Sequence, residues 1–136
     1  MVRKQLEDGA FGIKLVWPGY IEDDLADRRV GFPADYDKKY DFPINAKMLI
    51  YVTEYQAIVA VNQVTGTWDE GKRLYKPRGR FPICLPIKET FRSKVGLSKK
   101  EVQQIIPRFT TYEGLSFFPL SEGEFIELEK ALIQRG

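Results

Sequence analysis

Five cations fall within nine residues of this 136-residue chain: Lys72, Arg73, Lys76, Arg78 and Arg80, set around Tyr75 and Phe81. Cations interleaved with aromatics suit a polyanion that carries bases, because the charges displace counterions from phosphates while ring faces take the bases. Arg78 and Arg80 suit phosphate best, since a planar guanidinium grips two oxygens at once. Gly79 between them lets the backbone come close. A hydrated, solubilising face is the plain alternative that charge alone leaves open, and the aromatics set among the cations weigh against it. Residues 1–69 carry a net −3, residues 70–108 a net +8 and residues 109–136 a net −3, within an overall +2. A basic block between acidic flanks is what a surface meeting a polyanion requires.

Aromatic residues outside that block supply stacking candidates. Trp17 precedes the Pro18-Gly19 break, Phe32 sits between Gly31 and Pro33, and Trp68 lies in GTWDEG beside the cations. Tyr51 and Thr53 alternate with Ile50 and Val52, so they share one face of a strand and could meet a base edge. For each of these large side chains the alternative is core filling.

What the chain lacks is equally informative. With no histidine and a single cysteine, Cys84, it has no Ser-His-Asp or Cys-His machinery, no zinc ligand set and no internal disulfide. Cys84 between Ile83 and Leu85 reads as a small buried hydrophobe. The acids Glu22, Asp23, Asp24 and Asp27 fit no calcium-loop spacing and read as a solvated helix face. No metal or cofactor is expected. There is no apolar run of membrane-spanning length and no signal-peptide core, which together predict a cytoplasmic protein.

These residues must be positioned by a single domain over 1–136. FGIKLVW (11–17) alternates as a strand, and residues 21–29 read as a short acidic helix. Residues 31–45, punctuated by Gly31, Pro33 and Pro43, read as an ordered loop. Segments 48–54 and 57–65 form a hairpin across Tyr55-Gln56. Residues 66–71 read as a loop, and 81–88 as a strand whose prolines place it at an edge or bulge. Ser98-Lys99-Lys100-Glu101 and Ser121-Glu122-Gly123-Glu124 are capping boxes that open two helices, with a last strand at 114–120 between them. The class is α+β, a small curved barrel of five to six strands flanked by about three helices.

The ordered series FGIKLVW, VGFP (30–33), MLIYVTEYQAIVAVNQVTG (48–66), LYKPRGRFPICLPI (74–87) and GLSFFPLSEGEFIELEKAL (114–132) resembles the EVE domain. That domain is part of the PUA-like superfamily with the YTH and ASCH domains, and the resemblance covers about residues 11–132. It implies a PUA-like barrel and a module, not an enzyme, that binds DNA or RNA. Such a module reads a modified base flipped into an aromatic pocket, alone or with nuclease or AAA+ partners of restriction systems. The pocket it implies comprises Trp17, Gly31, Phe32, Pro33, Tyr51, Thr53, Trp68 and Ser116, with phosphates along Lys72, Arg73, Lys76, Arg78 and Arg80. Val30 stands where many members carry a cage tryptophan, so Phe32 is expected to supply that wall. The ASCH signature Gly-x-Lys-x-x-x-x-Arg is missing. The rival expectations are a small hydrolase of modified nucleosides, using Lys14 or Lys47 with Thr53 and Glu54, and a protein-interaction domain of a restriction assembly.

Overall fold

Alternation along residues 11–16 is realised as strand β2 (Phe11–Val16) in a computed structural model, which describes residues 4–5, 11–17, 29–76, 82–112 and 115–136. The other strands are β1 (Lys4–Gln5), β3 (Arg29–Phe32), β4 (Tyr40–Asp41), β5 (Lys47–Val52), β6 (Ala57–Val64), β7 (Ile83–Ser98) and β8 (Phe117–Leu120). The helices are α1 (Tyr36–Lys39), α2 (Trp68–Leu74), α3 (Lys99–Ile105) and α4 (Glu122–Arg135). The acidic helix expected over 21–29 lies outside the described residues, except that Arg29 opens β3.

Six strands form one curled sheet in the order β3-β7-β6-β5-β2-β8, and β1 pairs with β4 apart from it. Within the large sheet β2 and β5 run parallel and every other neighbouring pair is antiparallel. The curl depends on β7. Its first residues pair with β3 and the rest with β6, with register breaks opposite Ile58–Ala60 and Val61–Asn62. Pro86 stands where one ladder ends and the other begins, a position that tolerates a missing N–H. Residues 83–86 thus pair on one side only and residues 87–98 on the other, in keeping with the edge or bulge its prolines suggest.

Both faces of the sheet are buried. Ile13, Leu15, Leu49, Tyr51, Ile58 and Val61 pack under α3 and α4 through Val102, Ile106, Phe125, Leu128 and Leu132. Val16, Phe32, Phe42, Met48, Ile50, Ala60, Trp68, Leu85 and Phe117 form the second core. Because it joins residues of both outermost strands, β3 and β8, it is the inside of the half-barrel. Gly12 permits this closure: a Cβ there would lie 2.1 Å from Cζ of Phe117.

Both capping boxes form. The Ser98 and Ser121 hydroxyls accept from the N–H groups of Glu101 and Glu124, whose carboxylates accept from the serine N–H groups in return. Residues 66–71 are not a loop: Thr67 accepts from the Glu70 N–H at 3.1 Å and starts α2. Residues 31–45 contain the end of β3, α1 and β4 instead of one irregular loop.

Arg108 grips Glu124 with both guanidinium nitrogens, one at 2.9 Å. That contact, aided by the Ser121 N–H, holds the Glu124 carboxyl down to about 2. A carboxylate with a depressed folded-state pKa stabilises above its unfolded value and loses that contribution as pH falls toward 2. The pair is partly solvent-exposed, so its contribution is about 1 kcal/mol after screening. Urea unfolding of wild type and Glu124→Gln should therefore differ by that much at pH 7 and converge by pH 2. A gap independent of pH would refute the assignment.

Candidate functional site

Strands β3 and β8 are the two ends of the curled sheet, and they are not paired with each other among the described residues. The seam between them is bridged by Lys14. This lysine lies on the inner face of β2, between Gly12 and Val16, and is only 2% exposed. Its Nζ donates to the Leu15 carbonyl at 2.7 Å and to the Ser116 Oγ at 2.9 Å, and stands 4.7 Å above the centre of the Phe32 ring. Ser116 immediately precedes β8 and Phe32 ends β3, so one ammonium ties both edges together. Burying a charge is costly unless it is hydrogen-bonded, and an aromatic face adds further attraction.

Further aromatic side chains pack beyond the Phe32 ring. Tyr36, in α1, packs on Phe32 and Tyr40 at ring separations of 5.4 and 5.7 Å. Its hydroxyl is met by the N–H groups of Ser116 and Phe117. Burial, the largest cause, raises the pKa of Tyr36 and of Tyr40, and the nearby Tyr112 phenol adds to it, so both are neutral donors at physiological pH. Tyr112 itself is exposed. Trp17 is half-buried and donates its indole N–H to the Leu115 carbonyl at 3.3 Å. The seam therefore brings a buried ammonium, a serine hydroxyl and two tyrosine phenols close to the half-buried Trp17.

Of the pocket residues read from the sequence, Trp17 and Ser116 lie at this seam, and Gly31 and Pro33 flank Phe32 within and just after β3. Phe32 is fully buried and forms the floor beneath Lys14, not an open wall as expected. Val30 is buried in the same inner core. Trp68 is the first residue of α2, not an exposed loop aromatic. It is buried edge-on to Phe32 and Phe42 at 5.2 and 5.7 Å, and its indole N–H donates to the Tyr40 carbonyl at 3.0 Å. The Thr67 cap that opens α2 is what takes Trp68 out of a loop and sets its ring on Phe32 and Phe42. Tyr51 faces the opposite side of the sheet, against Phe109 at 5.4 Å, so it cannot share a pocket with Phe32. Thr53 donates to the Val16 carbonyl at 3.1 Å and fastens β5 to the end of β2.

The basic run is partly neutralised. Lys72 pairs with Asp37 at 2.6 Å, whereas Arg73 and Lys76 are exposed and make no ion pair among the described residues. Arg78 and Arg80 lie outside the described residues. The imagined catalytic set is not assembled: Thr53 is engaged by Val16, Glu54 is exposed, and Lys47 sits at the other end of β5. Lys14, Tyr36, Tyr40 and Tyr112 were not among the binding candidates. Their signals were present, in the Lys14–Val16 sharing of a face and the one-turn spacing of Tyr36 and Tyr40.

Among the described residues no cluster of three or more acidic or cysteine side chains could hold a metal, and no helix is long and apolar enough to cross a membrane. No family model matches the chain, and no curated protein matches it. Solved structures do. The YTH domain of Mmi1, solved in complex with RNA, superposes with a TM-score of 0.65 at 10% identity, covering 95% of this chain and 84% of that one. A mutant of the ASCH protein from Zymomonas mobilis gives 0.60 at 11% identity, covering 88% and 96%. The fold is that of the YTH and ASCH domains. A hypothetical protein from Leishmania major shares this fold, with a TM-score of 0.64 at 14% identity over 93% of this chain and 96% of that one. The six-stranded half-barrel with its helices is thus the curved α+β barrel expected from the sequence.

Proposed function

We propose that this chain is a nucleic-acid-binding module of the EVE type, which accepts a single modified base extruded into the seam between β3 and β8. The observation that carries this reading is the buried Lys14 ammonium, pinned between Ser116 and Phe32, with Tyr36 packed on Phe32 and Trp17 tied to Leu115 just before β8. Flipping a base costs a few kcal/mol, which stacking and edge hydrogen bonds must offset. One aromatic face contributes about 1–3 kcal/mol and a charge-assisted hydrogen bond a similar amount. Arg73 and Lys76 hold flanking phosphates in this reading. The RNA complex of the Mmi1 YTH domain supports a nucleic-acid partner for the shared fold. The module works in the cytoplasm, by itself or beside nuclease or AAA+ components, and releases its ligand unchanged.

The test is fluorescence anisotropy at two salt concentrations with short DNA and RNA strands. These are unmodified, or carry methylated or hydroxymethylated cytosine or methylated adenine. One modified strand should bind at least tenfold more tightly than its unmodified counterpart, with affinity falling as salt rises. Salt-sensitive binding indifferent to modification would remove the base pocket and leave only the basic strip. Binding insensitive to salt, or no binding, would favour the protein-interaction domain.

A second reading, the hydrolase, rests on Ser116 lying beside Lys14, since serine–lysine pairs serve as nucleophile and base elsewhere. Here Lys14 is the donor to Ser116 and to Leu15, the reverse of what a general base does. Chromatography of acylated nucleosides incubated with the protein separates the two: a reader returns them intact.

A further inference from the structure

Among the described cations of the basic run, Arg73 and Lys76 are exposed and unpaired, and Lys72 alone is neutralised. Its partner is not a neighbour in sequence. Asp37 comes from α1, next to Tyr36, whose hydroxyl sits in the seam against the amides of Ser116 and Phe117. The Lys72 side chain is 47% exposed, so it is reachable from solvent even while paired. Lys72 also occupies the last turn of α2, one turn after Trp68, whose indole is tied to Tyr40 of the same aromatic group. The pair therefore lies where the basic run meets the seam, and a carboxylate occupies the position that a phosphate oxygen would take on Lys72.

We infer that Asp37 is a built-in competitor for nucleic acid: it holds the Lys72 ammonium that a backbone phosphate beside the extruded base takes when the strand binds. This rests on the nucleic-acid reading above and adds a phosphate site that Asp37 guards. Carboxylate and phosphate bind an ammonium by the same charge-assisted hydrogen bond, so the exchange costs little for a specific strand and discourages loose ones. The depressed pKa of Asp37, caused first by its hydrogen bond from Lys72, fits a carboxylate ionised and engaged at neutral pH.

The experiment is a salt titration of strand binding for wild type, Asp37→Asn, Lys72→Met and Asp37→Asn with Lys72→Met. The bound wild-type strand already holds Lys72, so Asp37→Asn should bind about fivefold more tightly at 0.1 M salt at an unchanged log–log slope, whereas Lys72→Met alone should flatten the wild-type slope by about 0.7. Asp37→Ser, whose shorter side chain also leaves Lys72 unpaired, must give the same gain, which guards against a folding defect peculiar to the amide. In the Lys72→Met background the gain must vanish. If it persists there, Asp37 acts only as one more negative charge near a polyanion and the inference is overturned. Unchanged affinity in both Asp37 variants overturns it equally. Should wild type bind no strand at any salt, the nucleic-acid reading fails, and that is seen before any substitution is made.

Discussion

Gly71→Ala is expected to lower the melting temperature by about 10 °C, which corresponds to about 3 kcal/mol for a domain of this size. The cause is steric. A Cβ at position 71 would lie 1.9 Å from the carbonyl oxygen of Cys84, a backbone atom of β7 that cannot rotate away. Gly71 is the middle of α2, which packs directly on β7 through this bare face. Overpacking a tight site usually costs about 1–3 kcal/mol, and here the neighbour is backbone, so the cost lies at the upper end. Alanine is ordinarily the better helix former by nearly 1 kcal/mol, so intrinsic propensity predicts the opposite sign. Differential scanning calorimetry decides between them. A rise, or a change under 2 °C, would show that α2 does not press on β7 as described. Since α2 carries Trp68 into the inner core, its displacement also loosens the rings under the seam.

The segments legible in the sequence were those with local signals. Alternation located β2 and the β5–β6 hairpin, and the two Ser-x-x-Glu boxes located α3 and α4 to within a residue. The same signal was present at Thr67-x-x-Glu70, but Gly66 and Gly71 beside it gave the appearance of a loop. Gly71 is there because β7 demands it, a contact no local reading contains. The continuation of β7 past residue 88 was hidden because its outward residues, among them Lys88, Glu89, Arg92 and Lys94, are exposed and its register breaks disrupt strict alternation. The site was less legible than the fold for a related reason. Phe32 and Trp68 look surface-bound in their own segments, yet they pack on each other and on Phe42, with Tyr36 also on Phe32. Tyr51 was assigned to the base pocket from its strand face, but a sheet buried on both sides makes either face apolar, and alternation does not say which is the inside. Lys14 shows the limit most sharply: a lysine between apolar neighbours reads as the wet side of a strand, and only the curl that brings β3 to β8 makes it a buried crossbar.

Lys14→Met follows from that crossbar and is expected to weaken binding of the preferred modified strand by about 10–100-fold, the equivalent of one charge-assisted hydrogen bond. Methionine keeps most of the aliphatic stem over Phe32 and removes the donor that Ser116 and Leu15 now share. The discriminating readout is the salt slope. A cation that meets a base edge carries no phosphate, so the slope should stay as in wild type, whereas Arg73→Ser should flatten it by about 0.7. The stability cost should be limited to about 1–3 kcal/mol, because two acceptors lose their donor in a buried site. A general loosening of the half-barrel would instead weaken modified and unmodified strands alike. Loss confined to the modified strand, at constant slope, identifies Lys14 as the group that reads the base. Equal loss on both strands would assign it to holding the seam closed, and Ser116→Ala, which cuts the tie to β8 and leaves the ammonium, would then weaken both strands in the same way.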